Sequence, residues 1–488
     1  MLTNLDISTP EAEGISSSNI LKLIEYIEKN KINLHSFMLV AGGKIIAEGY
    51  YPPFNADFLH RLYSSTKTYV AVAVGMLVTE GKIKLSDKIL SFFPEYDTEA
   101  VPDIVRAYTV RDALTMATPF LATRQAENPG KSERNPYANE PTKIPGAIFS
   151  YGEGADLMAR VVERVTGMEL VEFLRPLFDR LGIGKDTRCI KDWDGGAWGG
   201  SGMLSTLRDF ARFAEFVKNL GVIDGEQIID RAYMEEMTSS RIESNICRNA
   251  YSPLISGGYG YLTWITDDGF ALRGMGCQEA WCFPKKDFMF VCTGDTMTDF
   301  DVADIRLYDA VKNFIYDNIG SPMADSPATE ELRQKLANLK MPSYGKALSP
   351  MAEVVSGASW QLSPNEMGWS DVRFEFGDGE GSISYTNARG RKKIRFGLGK
   401  YVKTSFPETH YYKEQRGVPS GEELDCLAVA EWISDEKLLL RVYITDVSFG
   451  SVFVLASFVN GGLSLRLTKR GEFILDDYGG WAIGTISK

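Results

Sequence analysis

The chain has 488 residues, 44% hydrophobic and 24% charged, and its 65 acidic against 53 basic side chains leave a formal charge of −12 at neutral pH. That length gives room for two or three domains with sizeable cores, and so acidic a surface repels nucleic acid and anionic membranes, so neither is an expected partner. Met1 to Asp6 carry no basic or apolar leader and no apolar run reaches membrane-spanning length, which predicts a cytoplasmic protein without membrane insertion.

In chain order, periodicity predicts a helix over residues 19–28, a strand from Ser36 to Val40, a turn at Gly42 and Gly43, and a return strand from Lys44 to Glu48. The run from Tyr69 to Val78 is apolar on nearly every side, the mark of a buried helix, and Gly81 supplies its stop. Ser64, Ser65, Thr66 and Lys67 stand at its head. Residues three apart on a helix are neighbours, so the Lys67 amine can reach the Ser64 hydroxyl. The positive end of the helix dipole favours a developing alkoxide there. The plainer alternative is that Ser64 only caps the helix. Further helices are expected at 110–116, 156–166, 170–181, 207–220 and 302–316, and strands at 259–266, 281–283 and 288–292. Helices around an antiparallel sheet built from the two ends of this region make an α+β domain.

The four-residue pattern recurs at Ser343–Lys346 and Ser434–Lys437, both in turn-like composition and read as ordinary surface. His35, His60 and His410 are the whole histidine supply, with no G-x-S-x-G elbow and no pair at metal-ligand spacing. A hydrolase built from these residues takes lysine or tyrosine as its base, and no metal or cofactor is expected. The six cysteines show no metal-type spacing and read as reduced, buried thiols.

After Ile319, glycine, serine and proline mark a change of composition. The expected organisation is a domain over 1–319, a linker with a short helix over 320–349, and an antiparallel β-barrel or sandwich over 350–488. The last rests on alternation such as Val372, Phe374, Phe376 and on turns such as Asn460–Gly461. No chemistry is visible in it, and a structural or oligomerisation role is expected.

Three more segments stand in order behind Ser64: Phe149–Ser150–Tyr151–Gly152–Glu153 before a helix, Gly199–Gly200–Ser201–Gly202 before another, and Leu272–Arg273–Gly274–Met275–Gly276, an edge strand with glycines where something comes close. Together they resemble the serine β-lactamase and penicillin-binding-protein-like superfamily, its class-C-like branch in particular, from about His35 to Cys292. The resemblance implies a β-lactamase/transpeptidase-like fold with an all-helical subregion, ahead of the all-β module. It makes Ser64 the acylated nucleophile, Lys67 its base or the holder of the network that takes the proton, and Tyr151 the proton shuttle. Backbone N–H groups of Ser64 and Met275 would form the oxyanion hole, and Glu153, Leu272, Arg273 and Gly274 would meet the substrate. Tyrosine and lysine ordinarily titrate at about 10 and 10.4, too high for such work without a neighbouring charge or burial.

Two departures bear on substrate. Glu153 stands where the family has asparagine, and Leu272 beside Arg273 where it has lysine or histidine. A carboxylate near Lys67 would keep that lysine protonated and shift the base role toward Tyr151, or would bind a cationic substrate group. Arg273 could replace the missing cation only if it points inward. The expected activity is therefore that of an esterase, amidase, D-aminopeptidase-like enzyme or transacylase on a small ester or amide. A true β-lactamase or D,D-peptidase, and a non-catalytic binding or scaffold protein, are the alternatives. The polar stretch 122–145 is too long for a routine connection and is read as overhanging the pocket or as a solvated loop.

Overall fold

Alternating and continuous apolar runs in the first two-thirds of the chain assemble a main seven-stranded sheet with helices on both faces, beside two smaller sheets of three and two short strands. The structure is a computed structural model that describes residues 5–120, 136–192, 195–244, 252–296, 302–407, 423–445, 449–471 and 478–486. The chain divides into two compact units, Met1–Lys340 and Met341–Lys488.

The sheet of the first unit contains β1 (Leu34–Ala41), β2 (Lys44–Tyr50), β3 (Gly258–Tyr259), β4 (Trp264–Ile265), β5 (Phe270–Gly274), β6 (Gln278–Phe283) and β7 (Phe288–Gly294). Their order is β2-β1-β7-β6-β5-β4-β3, with every neighbour antiparallel, so the first and last strands of the region meet at β1 and β7. Because β1, β6 and β7 are buried along their whole length, both faces must be covered. On one side α1 (Ser17–Lys29) packs with α6 (Val302–Phe314), and Tyr308 of α6 meets Trp281 of β6 edge to face. On the other lies α5 (Leu207–Lys218), packed on β6 and β7. Outside α5 come α2 (Thr66–Thr79), α3 (Gly154–Thr166) and α4 (Leu170–Leu181), the helical subregion.

Valines, ordinarily modest helix formers, are carried in α2 because residues 66–75 are all buried, and Tyr69 stacks on Phe213 of α5 at 3.5 Å. The strand expected over 259–266 is instead the two short strands β3 and β4. Leu262 turns the chain between them with φ of 50°, and its carbonyl accepts the Thr68 hydroxyl of α2 at 3.1 Å. A further helix, Pro327–Ala337, lies in the stretch read as linker; it belongs to the first unit, where Lys335 pairs with Glu28 of α1 at 2.7 Å. Among the described residues no helix is long and apolar enough to cross a membrane.

The second unit is a β-barrel. Its strands are β8 (Ser359–Leu362), β9 (Asp371–Phe376), β10 (Glu380–Asn387), β11 (Gly390–Leu398), β12 (Val402–Phe406), β13 (Leu424–Ser434), β14 (Lys437–Thr445), β15 (Phe449–Val459), β16 (Gly462–Gly471) and β17 (Gly480–Ile486). They run in the order β11-β10-β9-β8-β17-β16-β15-β14-β13-β12, and a parallel pairing of Gly397 and Leu398 with Val429 and Ala430 joins β11 to β13 and closes the circuit. Inward positions such as Trp360, Phe374, Tyr385, Leu440 and Leu465 fill the interior. The Asn460–Gly461 turn has the two positive φ angles, 51° and 73°, of a tight hairpin.

Candidate active site

Ser64 lies in a 3₁₀ turn, Tyr63–Ser65, that runs directly into α2. Tyr63 is in the left-handed region with φ of 48° and is almost wholly buried, an unusual conformation for a bulky residue. The turn it makes leaves Ser64 half-buried, while Ser65 and Thr66 on either side of the helix start are covered. The neighbouring hydroxyls fasten the helix start. Ser65 Oγ donates to the Gln278 carbonyl at 2.7 Å, and Thr66 Oγ1 accepts the Met203 N–H at 3.0 Å. Behind them the buried Arg61 guanidinium lies over the rings of Tyr63 and Trp198 at 4.4 and 4.2 Å and donates to the carbonyl and hydroxyl of Ser201 at 2.9 and 3.1 Å.

Lys67 is 6% exposed, and its Nζ stands 3.0 Å from Ser64 Oγ. A second bond, 2.6 Å to the Gly200 carbonyl, fixes the amine from the side of the 199–202 loop. The Tyr151 ring lies beneath it, 4.9 Å from centroid to Nζ. Tyr151 is in turn stacked on Trp264 of β4 at 5.4 Å and set perpendicular to Tyr259 of β3 at 6.2 Å. Hydroxyl and amine from the head of α2, the Tyr151 ring and the Gly200 carbonyl thus come together from three separate segments. The arrangement can take a proton from Ser64 as its oxygen attacks, which a serine needs to act as a nucleophile.

The segment expected as a third motif is the end of β5 and the turn after it. β5 pairs with β4 only at Phe270 and Ala271, so Leu272 to Gly274 form an edge on that side. A Cβ on Gly274 would stand 2.1 Å from the Leu62 carbonyl, which places the strand backbone against the turn that carries Ser64. Met275 begins the turn after β5, and the Gln278 side-chain amide holds that turn by donating to the Met275, Gly276 and Gly294 carbonyls at 3.2, 3.0 and 2.8 Å. Successive strand side chains point to opposite faces. Arg273 therefore points away from the Leu62 side, where its Nε donates to Glu279 at 3.1 Å and its Nη2 reaches Asp304 of α6 at 3.5 Å. The inward direction that would have made Arg273 a substitute cation is not taken. Leu272 is fully buried, so this edge can offer only backbone from residue 272.

The carboxylate expected beside Lys67 is that of Glu153. Glu153 occupies the N-cap position of α3 without a side-chain capping bond, and its charge is felt at the Tyr108 hydroxyl, which burial above all, then Tyr137, Asp112 and Glu153, hold well above the ordinary tyrosine range. Among the described residues no carboxylate forms an ion pair with Lys67. Two contributors escaped sequence reasoning: the Gly200 carbonyl and Asp156, whose Oδ1 accepts the Gly200 N–H at 2.7 Å. The glycine-rich run 199–202 reads only as a turn ahead of a helix, and nothing in it names Lys67 or Asp156 as its partners.

His35 and His60 do meet, as a buried pair with Nδ1 and Nε2 3.1 Å apart. Burial pushes both imidazoles down, His60 to about 3. Among the described residues no three His, Cys, Asp or Glu side chains gather as a metal site. The two other copies of the motif are surface features of the second unit, Ser434 facing Lys437 across a hairpin end and Ser343 donating to Glu431. Residues 122–135 of the polar stretch 122–145 lie outside the described residues.

The beta-lactamase family model matches residues 24–311 of the chain. A 6-aminohexanoate-dimer hydrolase of Paenarthrobacter ureafaciens is 24% identical over 281 residues, 52% of this chain and 71% of that protein. A lovastatin esterase of Penicillium rubens is 30% identical over 169 residues, 29% of this chain and 42% of that protein. A solved structure described as a 6-aminohexanoate-dimer hydrolase from Bacillus anthracis aligns over 68% of this chain and 88% of its own, at 18% identity and a TM-score of 0.48.

Proposed function

The chain belongs to the beta-lactamase family, and from that premise we propose that Ser64 is the acylated nucleophile of a serine hydrolase or acyltransferase that acts on a small ester or amide. The observation that carries this reading is the 3.0 Å contact between Ser64 Oγ and Lys67 Nζ at the head of a buried helix. Lys67 takes the proton as Ser64 Oγ bonds to the substrate carbonyl carbon. The resulting oxyanion is received by the N–H groups of Ser64 and Met275, donors of the type whose loss costs about 10²–10³ in rate. Tyr151 then passes its proton to the departing alcohol or amine as the bond to the carbonyl carbon breaks, and takes in its place the proton held on Lys67, so that both groups return to their starting state. Water or a second alcohol or amine takes the acyl group and frees Ser64.

The choice of ester or amide over β-lactam is supported by the third-motif edge. Recognition of a β-lactam or D-alanine carboxylate asks for a cation there, yet Leu272 is buried and Arg273 is engaged by Glu279 and Asp304. The two curated relatives, described by their names as a dimer hydrolase and an esterase, support the same choice. Turnover of short p-nitrophenyl esters, D-amino-acid amides and nitrocefin tests it. The esters or amides are expected to turn over well ahead of nitrocefin, and the reverse order would overturn the substrate assignment.

A further inference from the structure

We infer that Asp156 is a positioning residue for Lys67, acting through Gly200; the inference rests on the reading of Ser64 and Lys67 given above. The two backbone polar atoms of Gly200 are taken in different directions. Its N–H donates to Asp156 Oδ1 at 2.7 Å, and its carbonyl accepts Lys67 Nζ at 2.6 Å. The second contact is shorter than the 3.0 Å between Lys67 and Ser64, so whatever fixes this carbonyl also fixes where the amine stands.

The loop around Gly200 is wedged on both sides. A Cβ on Gly199 would lie 2.7 Å from the Ala155 carbonyl of α3, and one on Gly200 would lie 2.8 Å from Asp156 Oδ2. From the other side Arg61 grips the next residue, Ser201, by its carbonyl and hydroxyl. Asp156 is the one side chain of α3 that bonds the Gly200 backbone. Without an acceptor, the Gly200 N–H would be left unpaired in a tight site, at a cost of about 1–3 kcal/mol that backbone rotation can relieve. The N–H and the carbonyl of Gly200 belong to adjacent peptide planes hinged at its Cα, so a shift of the residue that relieves the one displaces the other from Lys67.

A helix-stabilising role alone does not account for this geometry. Asp156 is the third residue of α3, where an acid favours the helix dipole and usually reaches back to the N-cap N–H. Here Oδ1 is turned outward to the loop instead. Asp156 also joins no ion pair among the described residues, so its charge is not committed to another cation. Sequence reasoning looked for an acidic influence on Lys67 at Glu153; the structure offers one at Asp156, a turn further along the same helix and through one intervening residue.

The test compares wild type, Asp156→Ala and Asp156→Asn by the rate of fluorophosphonate labelling at Ser64, by kcat and KM for p-nitrophenyl acetate, and by thermal midpoint. Asp156→Ala should label and turn over about ten-fold more slowly or worse, with KM within about two-fold of wild type. Asp156→Asn keeps an oxygen that can accept the Gly200 N–H and should recover to within about three-fold of wild type. Equal loss in both variants, or none in Asp156→Ala, would overturn the inference. Should Asp156→Ala fail to fold, Asp156→Asn is compared with Asp156→Glu, which keeps the charge but displaces the acceptor, and the inference requires the asparagine to be faster. A wild type that takes no label overturns the Ser64 reading and this one with it, whereas a labelled wild type beside an unaffected Asp156→Ala overturns this one alone.

Discussion

The Leu62 carbonyl oxygen stands 2.1 Å from the place where a Cβ on Gly274 would sit. Strand β5 and the turn that presents Ser64 therefore touch backbone to backbone, and only glycine permits it. Gly274→Ala should force the two apart, with an overpacking cost of about 1–3 kcal/mol in unfolding free energy. Because Met275 is the next residue, kcat/KM should fall by about 10² or more, the loss expected when an oxyanion donor is misplaced. Urea unfolding and ester hydrolysis measure the two effects. Wild-type turnover in this variant would remove the Met275 N–H from the mechanism.

Arg273 is expected to matter for stability and not for substrate choice. Its partners Glu279 and Asp304 are buried, and the Trp281 indole also donates to Glu279. Removing one member of a buried pair leaves the other uncompensated, at about 3–5 kcal/mol; the 15% exposure of the arginine side chain brings the expectation to the lower end. Arg273→Met should lower the urea midpoint accordingly. The ratio of kcat/KM for esters with and without a terminal carboxylate should stay as in wild type, and a selective loss on the carboxylate-bearing ester would return Arg273 to the substrate site.

The His35–His60 pair gives the fold an acid sensitivity of predictable sign. An unfolded histidine titrates at about 6.5, while burial holds His60 down to about 3 and His35 well below its ordinary value. Above pH 6.5 both states are neutral and the full stability is present. As pH falls below that, the unfolded chain binds protons that the folded chain refuses, and stability drops by up to about 1.4 kcal/mol per pH unit for each histidine until the folded value is reached. Urea unfolding between pH 7.5 and 4.5 should show a shallower acid slope in His60→Gln than in wild type. Comparing the two cancels the titrating groups outside the His35–His60 pair, and parallel slopes would contradict the account.

What could be read from the sequence is what local spacing encodes. The Ser64–Lys67 contact spans three residues, and the apolar run from Tyr69 marks the buried helix that holds it. In the second unit, alternation and the Asn460–Gly461 turn likewise announce hairpins. Partners distant in sequence were not legible. The Gly200 carbonyl meets Lys67 across 133 positions and the Gly200 N–H meets Asp156 across 44, and no local pattern links them. Alternation puts Leu272 and Arg273 on opposite faces, but which face is inward depends on Glu279 across the hairpin and Asp304 from α6. Barrel and sandwich share the same strands and turns; the pairing of Gly397 and Leu398 with Val429 and Ala430 decides between them.

The central claim is that Ser64 carries the acyl group. Intact-mass analysis after a fluorophosphonate probe, with peptide mapping of the adduct, tests it most directly. The account predicts one adduct per chain on wild type, located on Ser64 and absent from Ser64→Ala. An unlabelled wild type, or an adduct that persists in Ser64→Ala, would contradict it.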